Sequence, residues 1–472
     1  MILRKKIIYF FLFFFFIIAY CYNFTDIPHF RYDEGNLIDV PYQLAFHGHF
    51  GSATLDNGGD QTHYFHVHPP VYYLCLAAVF KIFGYGIMQA RLFSMVLAFL
   101  SIVVFSLILH EIKIKNINLY LLGILSTPLF FVLAKTIRPE MMMVLLFTIS
   151  FWLLIRWKNK QKTIELIVGG IVTSLMMMTH MFGLPIVFLW LYLLIRKKNW
   201  KHLSLYMFAL VLPTVPYILW IIKSWDAFTL QVIVERGISK LDILQKGLEV
   251  IKTTIISKRI GSIFYPLVFF LIILFTNYKK IKIPLIKYVV WAVALFWLQF
   301  LLLPKFNELY VVLVIPLLYL IIAIVMDSLS KRYKILLFVL IGMICLNTIG
   351  IGMLIVKYNK YSYKDYEVLL NSHIKYNENT KIMGNFSVIP IFHEAQFKGF
   401  QTYTTERDLV KAIDVADYVI IDDFTRNNQS STINNYIIKT KQKDSEFVSP
   451  YYGSEGNHPN NRIEVYKSKN IH

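Results

Sequence analysis

The chain has 472 residues, of which 56% are hydrophobic, 16% aromatic and only 16% charged, with a mean hydropathy of +0.53. That composition excludes an ordinary soluble domain, and repeated apolar stretches near the ~20 residues needed to cross a bilayer indicate a polytopic membrane protein. The formal charge of +19 does not call for a nucleic-acid partner, because membrane proteins concentrate Lys and Arg in short cytoplasmic loops.

In chain order, "MILRKK" followed by "IIYFFLFFFFIIAY" has the charge and apolar run of a signal peptide. No small-residue cleavage site follows, so we read an uncleaved anchor. Further apolar segments fall near 89–109, 118–136, 140–155, 163–180, 183–195, 203–223, 262–276, 286–303, 307–326 and 335–357, which with the anchor at 7–22 makes about eleven spans. Segment 69–86, "PPVYYLCLAAVFKIFGYG", is ambiguous: it opens on two prolines, contains Lys81 and is barely long enough to cross. Charge decides it. If it does not cross, the basic loops "HEIKIKN", "RWKNKQK", "RKKNWKH", "NYKKIKIPLIK" and "SKRYK" all share the N-terminal side, as the positive-inside rule demands. The segment is therefore predicted as a helix lying in the outer interface.

This topology puts the N-terminus in the cytoplasm and three long pieces outside: residues 23–88, residues 224–261 and everything after about 358. Within the second, Leu241, Leu244, Leu248, Ile251 and Ile255 recur at helical spacing, which predicts another interfacial helix. After 358 the apolar runs shrink to strand length, "KIMGNF", "FQTYTT", "DYVIIDD" and "RIEVYKS", with the helical "ERDLVKAIDVA" between the second and third. The expected fold class is thus an all-α polytopic membrane protein, a transmembrane domain over 1–357 and a small extracytoplasmic α/β domain over 358–472. Cys21, Cys75 and Cys345 lie in or beside apolar segments without CxxC or His-rich spacing, so neither a disulfide framework nor a zinc site is indicated.

Charged groups near membrane depth tend to be functional. Asp33 and Glu34, in "RYDEGN", stand where the first apolar run ends. One could be a general base for an acceptor hydroxyl; equally, acids at a helix start are favourable without any function. His63, His66 and His68 alternate in "THYFHVHPP", a pattern that could present a metal-binding face on a strand. No metalloprotease or zinc-finger spacing accompanies them, so hydrogen bonding or a phosphate contact by His68 fits better than a metal site, and His63 and His66 read equally well as ordinary interface residues; the sequence does not say whether a divalent metal takes part. Arg138 and Glu140 bracket Pro139 at the outer start of a span, good capping chemistry but also a guanidinium suited to gripping phosphate. Lys305 and Glu308 join two spans on the same side, where Lys305 could snorkel or serve as a second cation for a lipid phosphate.

Together, "YDEGN", "HPPVYYLCLAAVFKIFGYG", "QARLFSMVLAFLSI", "IRPEMM" and "PKFNELYVVLVIP" resemble the GT-C superfamily of polyprenyl-phosphate-sugar glycosyltransferases. The similarity is greatest to the branch holding protein O-mannosyltransferases and the aminoarabinose-to-lipid-A transferase. It covers about residues 1–160, with a weaker echo at 304–320. The resemblance implies an enzyme of the cell membrane that moves a sugar from a polyprenyl-phosphate donor to a glycan, lipid or protein acceptor on the outer face, inverting the anomeric centre. It also implies Asp33 as the catalytic carboxylate, with Arg138, Glu140, Lys305 and Tyr310 in the donor and acceptor site. Where the aminoarabinose branch has Glu-Lys before the proline pair, this chain has Val67-His68, so that branch's acceptor and lysine contact do not carry over.

The residue types agree with such chemistry: a phosphate leaving group needs cations, and the acceptor hydroxyl needs one carboxylate. No Gly-rich phosphate loop or dinucleotide fingerprint points to a nucleotide or any other cofactor. Two rival readings are a transporter or flippase of lipid-linked saccharides, which would need polar groups midway along its spans, and a non-catalytic membrane protein whose tail binds envelope polymer.

Overall fold

The computed structural model describes residues 2–30, 32–53, 60–234, 273, 286–302, 308–328, 333–359, 362–399, 406–428, 430–449 and 461–469. The predicted 241–258 interfacial helix, all but one residue of the 262–276 span, Lys305 and the predicted strand at 400–405 lie outside them.

Helices form at the other ten predicted spans: α1 (Ile2–Cys21), α4 (Ile87–Glu111), α5 (Ile117–Ser126) with α6 (Pro128–Ala134), α7 (Glu140–Lys160), α8 (Thr163–Met177), α9 (Leu184–Arg196), α10 (Trp200–Val211) with α11 (Val215–Lys223), and the helices Ile286–Leu302, Ile315–Ser328 and Tyr333–Tyr358. Among the described residues, five helical stretches are long and apolar enough to cross a membrane, or six if the bent α5–α6 pair is one span, so the expected count of eleven is not confirmed. Several of the remainder are apolar helices of 10–17 residues. On α4, Met88, Leu92, Val96, Leu100, Val103 and Leu107 are all exposed. Their spacing makes one continuous apolar stripe on the outside of the bundle, costly in water and matched to lipid.

α7 and Ile315–Ser328 form the centre, buried almost throughout. α7 packs between α4 and α8. The break between α5 and α6 is a 71° bend with Pro128 at the first position of the second helix. There its missing N–H costs nothing, while the hydroxyls of Ser126 and Thr127 donate to the Gly123 carbonyl. Gly123 itself meets the Tyr319 ring so closely that a Cβ would stand 2.2 Å from it, which lets the two helices approach.

Between α1 and α4 the chain forms α2 (Tyr32–Tyr42) and α3 (Val71–Phe83). α3, within the 69–86 segment, is 13 residues long. That is about 20 Å at helical rise, short of the ~30 Å hydrocarbon core.

The tail folds as a five-stranded sheet of order β2-β1-β3-β5-β4, built from β1 (Lys381–Gly384), β2 (Gln396–Gly399), β3 (Tyr418–Asp422), β4 (Lys441–Ser449) and β5 (Asn461–Ser468). β1 runs parallel to both β2 and β3, whereas β5 is antiparallel to β3 and β4. One sheet face packs Ile382, Ile420 and Val465 into the main core. The other face holds Met383, Val419 and Ile421 against the helices Glu406–Val415 and Ser431–Thr440. The tail is tied to the N-terminal segment: Gly399 N–H of β2 donates to the Ala53 carbonyl at 3.0 Å, and Tyr363 N–H, at the start of the helix Tyr363–His373 before the sheet, donates to Asp26 at 2.8 Å.

Candidate active site

α2 begins with Asp33 and Glu34 in its first turn. Neighbouring residues on a helix point about 100° apart, and this separates their fates. Glu34 is fully buried and bridged at both oxygens by Arg91 of α4, Oε1 to Nη2 at 2.9 Å and Oε2 to Nε at 3.2 Å. Its Oε2 also accepts the Ile137 N–H at 2.9 Å. Arg91 uses its remaining nitrogen on the carbonyls of Phe24, Thr25 and Pro28. Glu34, expected beside Asp33 as a catalytic candidate, thus has both oxygens engaged in a bridge that joins α2 to α4, to the loop at residues 24–28 and to the turn before α7.

Asp33 faces the other way. Its side chain is 61% exposed and its Oδ2 accepts from Arg138 Nη1 at 3.2 Å. Arg138 is buried in the turn between α6 and α7, and its Nε and Nη2 both donate to Glu140 Oε1, at 3.0 and 2.8 Å. Burial alone would favour the neutral guanidine, but Glu140 and Asp33 outweigh it and hold Arg138 charged. Glu140 stands in the first turn of α7, where the helix dipole favours an anion. Its second oxygen, Oε2, is buried with no hydrogen-bond partner among the described residues. An Asp33–Arg138–Glu140 row thus joins open space to the bundle interior.

The three alternating histidines diverge. His63 pairs with Asp60 at 2.6 Å on the surface. His66 contacts the Ser224 hydroxyl at 2.8 Å, its backbone N–H donates to Gln231, and its ring lies 4.1 Å from that of Trp220; burial lowers its pKa to about 4. His68 packs 5.6 Å from His180, which in turn lies 5.4 Å from Tyr310 and is stacked on Phe182. Tyr310 favours the charged form of Arg138 electrostatically, and His180 stands between Tyr310 and His68. Among the described residues no group of three or more His, Cys, Asp or Glu is placed to hold a metal ion.

Sequence reasoning missed Arg91 and His180. The available signal was a charged or imidazole side chain at the edge of an otherwise apolar run, "QARLFSM" and "MTHMFG". It also missed Asp39, one and a half turns further along α2, buried and accepting from Ser52, Ala53 and Gln43. Burial raises its pKa, and the hydrogen bonds from Ser52 and Ala53 partly offset this.

Residues 67–220 match the family model described as dolichyl-phosphate-mannose-protein mannosyltransferase, a stretch that holds Arg138 and Glu140 but begins after Asp33. No curated protein sequence matches the chain significantly. Two solved structures share its fold over nearly its whole length. ArnT from Cupriavidus metallidurans in the apo state superposes with a TM-score of 0.68 at 13% identity, covering 98% of each chain. The same protein bound to undecaprenyl phosphate gives 0.64 at 14% identity, covering 96% of this chain and 97% of that one. The resemblance to GT-C proteins read from the sequence thus holds in the family model and in the fold.

Proposed function

We propose that this GT-C-fold membrane protein is a glycosyltransferase that moves a sugar from a polyprenyl-phosphate donor to an acceptor hydroxyl on the extracytoplasmic face. The observation that carries the reading is the buried guanidinium of Arg138 held between exposed Asp33 and buried Glu140. A phosphate reaching Arg138 would meet a fixed, planar cation and find a carboxylate beside it. Supporting it are the family match over 67–220 and the solved fold-mate that binds undecaprenyl phosphate.

In this reading Asp33 takes the proton from the acceptor hydroxyl. The acceptor oxygen attacks the anomeric carbon from the face opposite the phosphate. The bond from that carbon to the phosphate oxygen breaks, its electron pair leaves on the polyprenyl phosphate, and the centre inverts. Arg138, with His68 and Lys305, binds the phosphate and stabilises the charge that develops on it. Glu140 orients Arg138, and Tyr310 lines the same site. Glu34 positions α2 through Arg91.

The test is turnover of a polyprenyl-phosphate sugar by the purified protein in detergent. Asp33→Asn should lower turnover by roughly 10²-fold or more, the scale of losing a general base, while retaining polyprenyl-phosphate binding. Wild-type turnover in that variant, or, with the protein reconstituted in liposomes, lipid-linked saccharide crossing the bilayer unmodified, would discard the reading.

A further inference from the structure

A cavity of about 1020 Å³ lies away from Arg138, between the last turn of α2 with the loop that follows and the β2 side of the tail sheet. Tyr42, His49 and Ser52 line it from one side, and Tyr376, His393 and Gln396 from the other. One wall is a cluster of rings. Tyr42 lies 5.3 Å from His393, and both pack on Tyr85, which does not itself line the cavity, at 4.7 and 4.5 Å. Flat rings interleaved with amides and hydroxyls suit a ligand that offers C–H faces and hydroxyl groups together.

Charge narrows the choice. The carboxylates Asp39, Glu378 and Glu394 line the cavity against Lys398, and burial lowers the pKa of both His49 and His393, so neither adds a cation at neutral pH. A phosphorylated or sulfated ligand would be repelled. A peptide strand finds little to pair with: β2 is an edge strand of four residues, and its Gly399 N–H is already bonded to Ala53. The volume reaches the upper end of the ~300–1,000 Å³ usual for small-molecule sites, enough for more than one sugar ring. The cavity also lies on the same helix as the proposed base, because Asp39 is six residues from Asp33, about 9 Å along α2.

We propose that this cavity is the acceptor subsite and binds an uncharged oligosaccharide chain, whose end reaches along α2 toward Asp33. This rests on the glycosyltransferase reading and adds the chemical class of the acceptor.

Saturation-transfer NMR on the full chain in detergent tests it, with mannohexaose and chitohexaose as neutral probes, and a sulfated oligosaccharide and a serine-rich peptide as comparators. At least one neutral probe should bind, and Gln396→Trp, which fills the cavity from an exposed strand position, should weaken it roughly tenfold or more. Glu378→Lys with Glu394→Lys should admit the sulfated probe that wild type rejects, which keeps the test valid if Gln396→Trp misfolds. Failure of both neutral probes, unchanged binding in Gln396→Trp, or stronger binding of the sulfated probe or the peptide by wild type overturns the proposal. Polyprenyl-phosphate binding measured in parallel separates the two readings. Phosphate binding without saccharide binding removes the cavity assignment alone; saccharide binding without phosphate binding leaves a saccharide site and removes the transferase reading.

Discussion

At the scale of single residues, buried charge decides most outcomes. Removing one partner of a buried ion pair leaves the other uncompensated and costs about 3–5 kcal/mol. Arg91→Met strands Glu34 and also releases three backbone carbonyls, so it should lower the thermal midpoint in detergent sharply; a midpoint within the scatter of wild type would contradict the clamp. Arg138→Ala should weaken donor use, and Arg138→Lys should restore only part of it, because a point charge cannot replace a planar fork shared between Asp33 and Glu140; donor kinetics unchanged in the alanine variant would remove Arg138 from the phosphate site. His66 carries a pH dependence. Its pKa falls from 6.5 to about 4 in the fold, so its neutral form is favoured, its stabilisation is complete above pH 6.5, and it is lost as pH falls through about 4. The loss of thermal stability between pH 7 and 4.5 should therefore be smaller in His66→Gln than in wild type, and equal losses would count against this. None of these fates was visible locally. Asp33 and Glu34 read alike in "RYDEGN", and only the phase of α2 against Arg91, 57 residues away from Glu34, tells them apart.

Among elements, the spans were legible because apolar length is a strong signal that tertiary context seldom overrides. The short helix α3 was legible too, as an apolar run opened by a proline pair. Strands were legible where they are buried on both faces, as in β3, which is buried throughout. β4, "KQKDSEFVS", lies at the sheet edge and carries too many charges to stand out, and β2 is too short for a period to show. Close helix approach left its traces in glycines, Gly123 against Tyr319 and Gly170 against Ala209 among them. Alanine in place of Gly123 would gain about 1 kcal/mol of helix propensity over glycine. The Cβ would nevertheless enter the buried Tyr319 ring, and overpacking costs about 1–3 kcal/mol. Gly123→Ala should thus be destabilised in thermal unfolding, with Tyr319→Leu in the same chain recovering part of the loss; a stabilised Gly123→Ala would show that the two helices can part freely.

For the whole molecule, the proposed orientation has a direct check. Reporter fusions at the C-terminus should report the extracytoplasmic side, and a cytoplasmic signal would invert the assignment of the site's face. The tail was expected as a unit hung on the last span, yet its strand β2 is bonded to Ala53 after α2, and the helix Tyr363–His373 that precedes the sheet is bonded to Asp26 before α2. α2 is consequently fastened at both ends, by Arg91 and Arg138 at its start and by Ser52 and the His393 ring contact near its finish. Eleven helical residues make a stiff rod of about 16 Å. Mechanically it is a strut: a load applied by the tail at one end is delivered to the Asp33 carboxylate at the other, so under the proposed reaction the sheet would be part of the frame that aims the base, and the tolerance of that geometry would be set partly by a sheet outside the helical bundle.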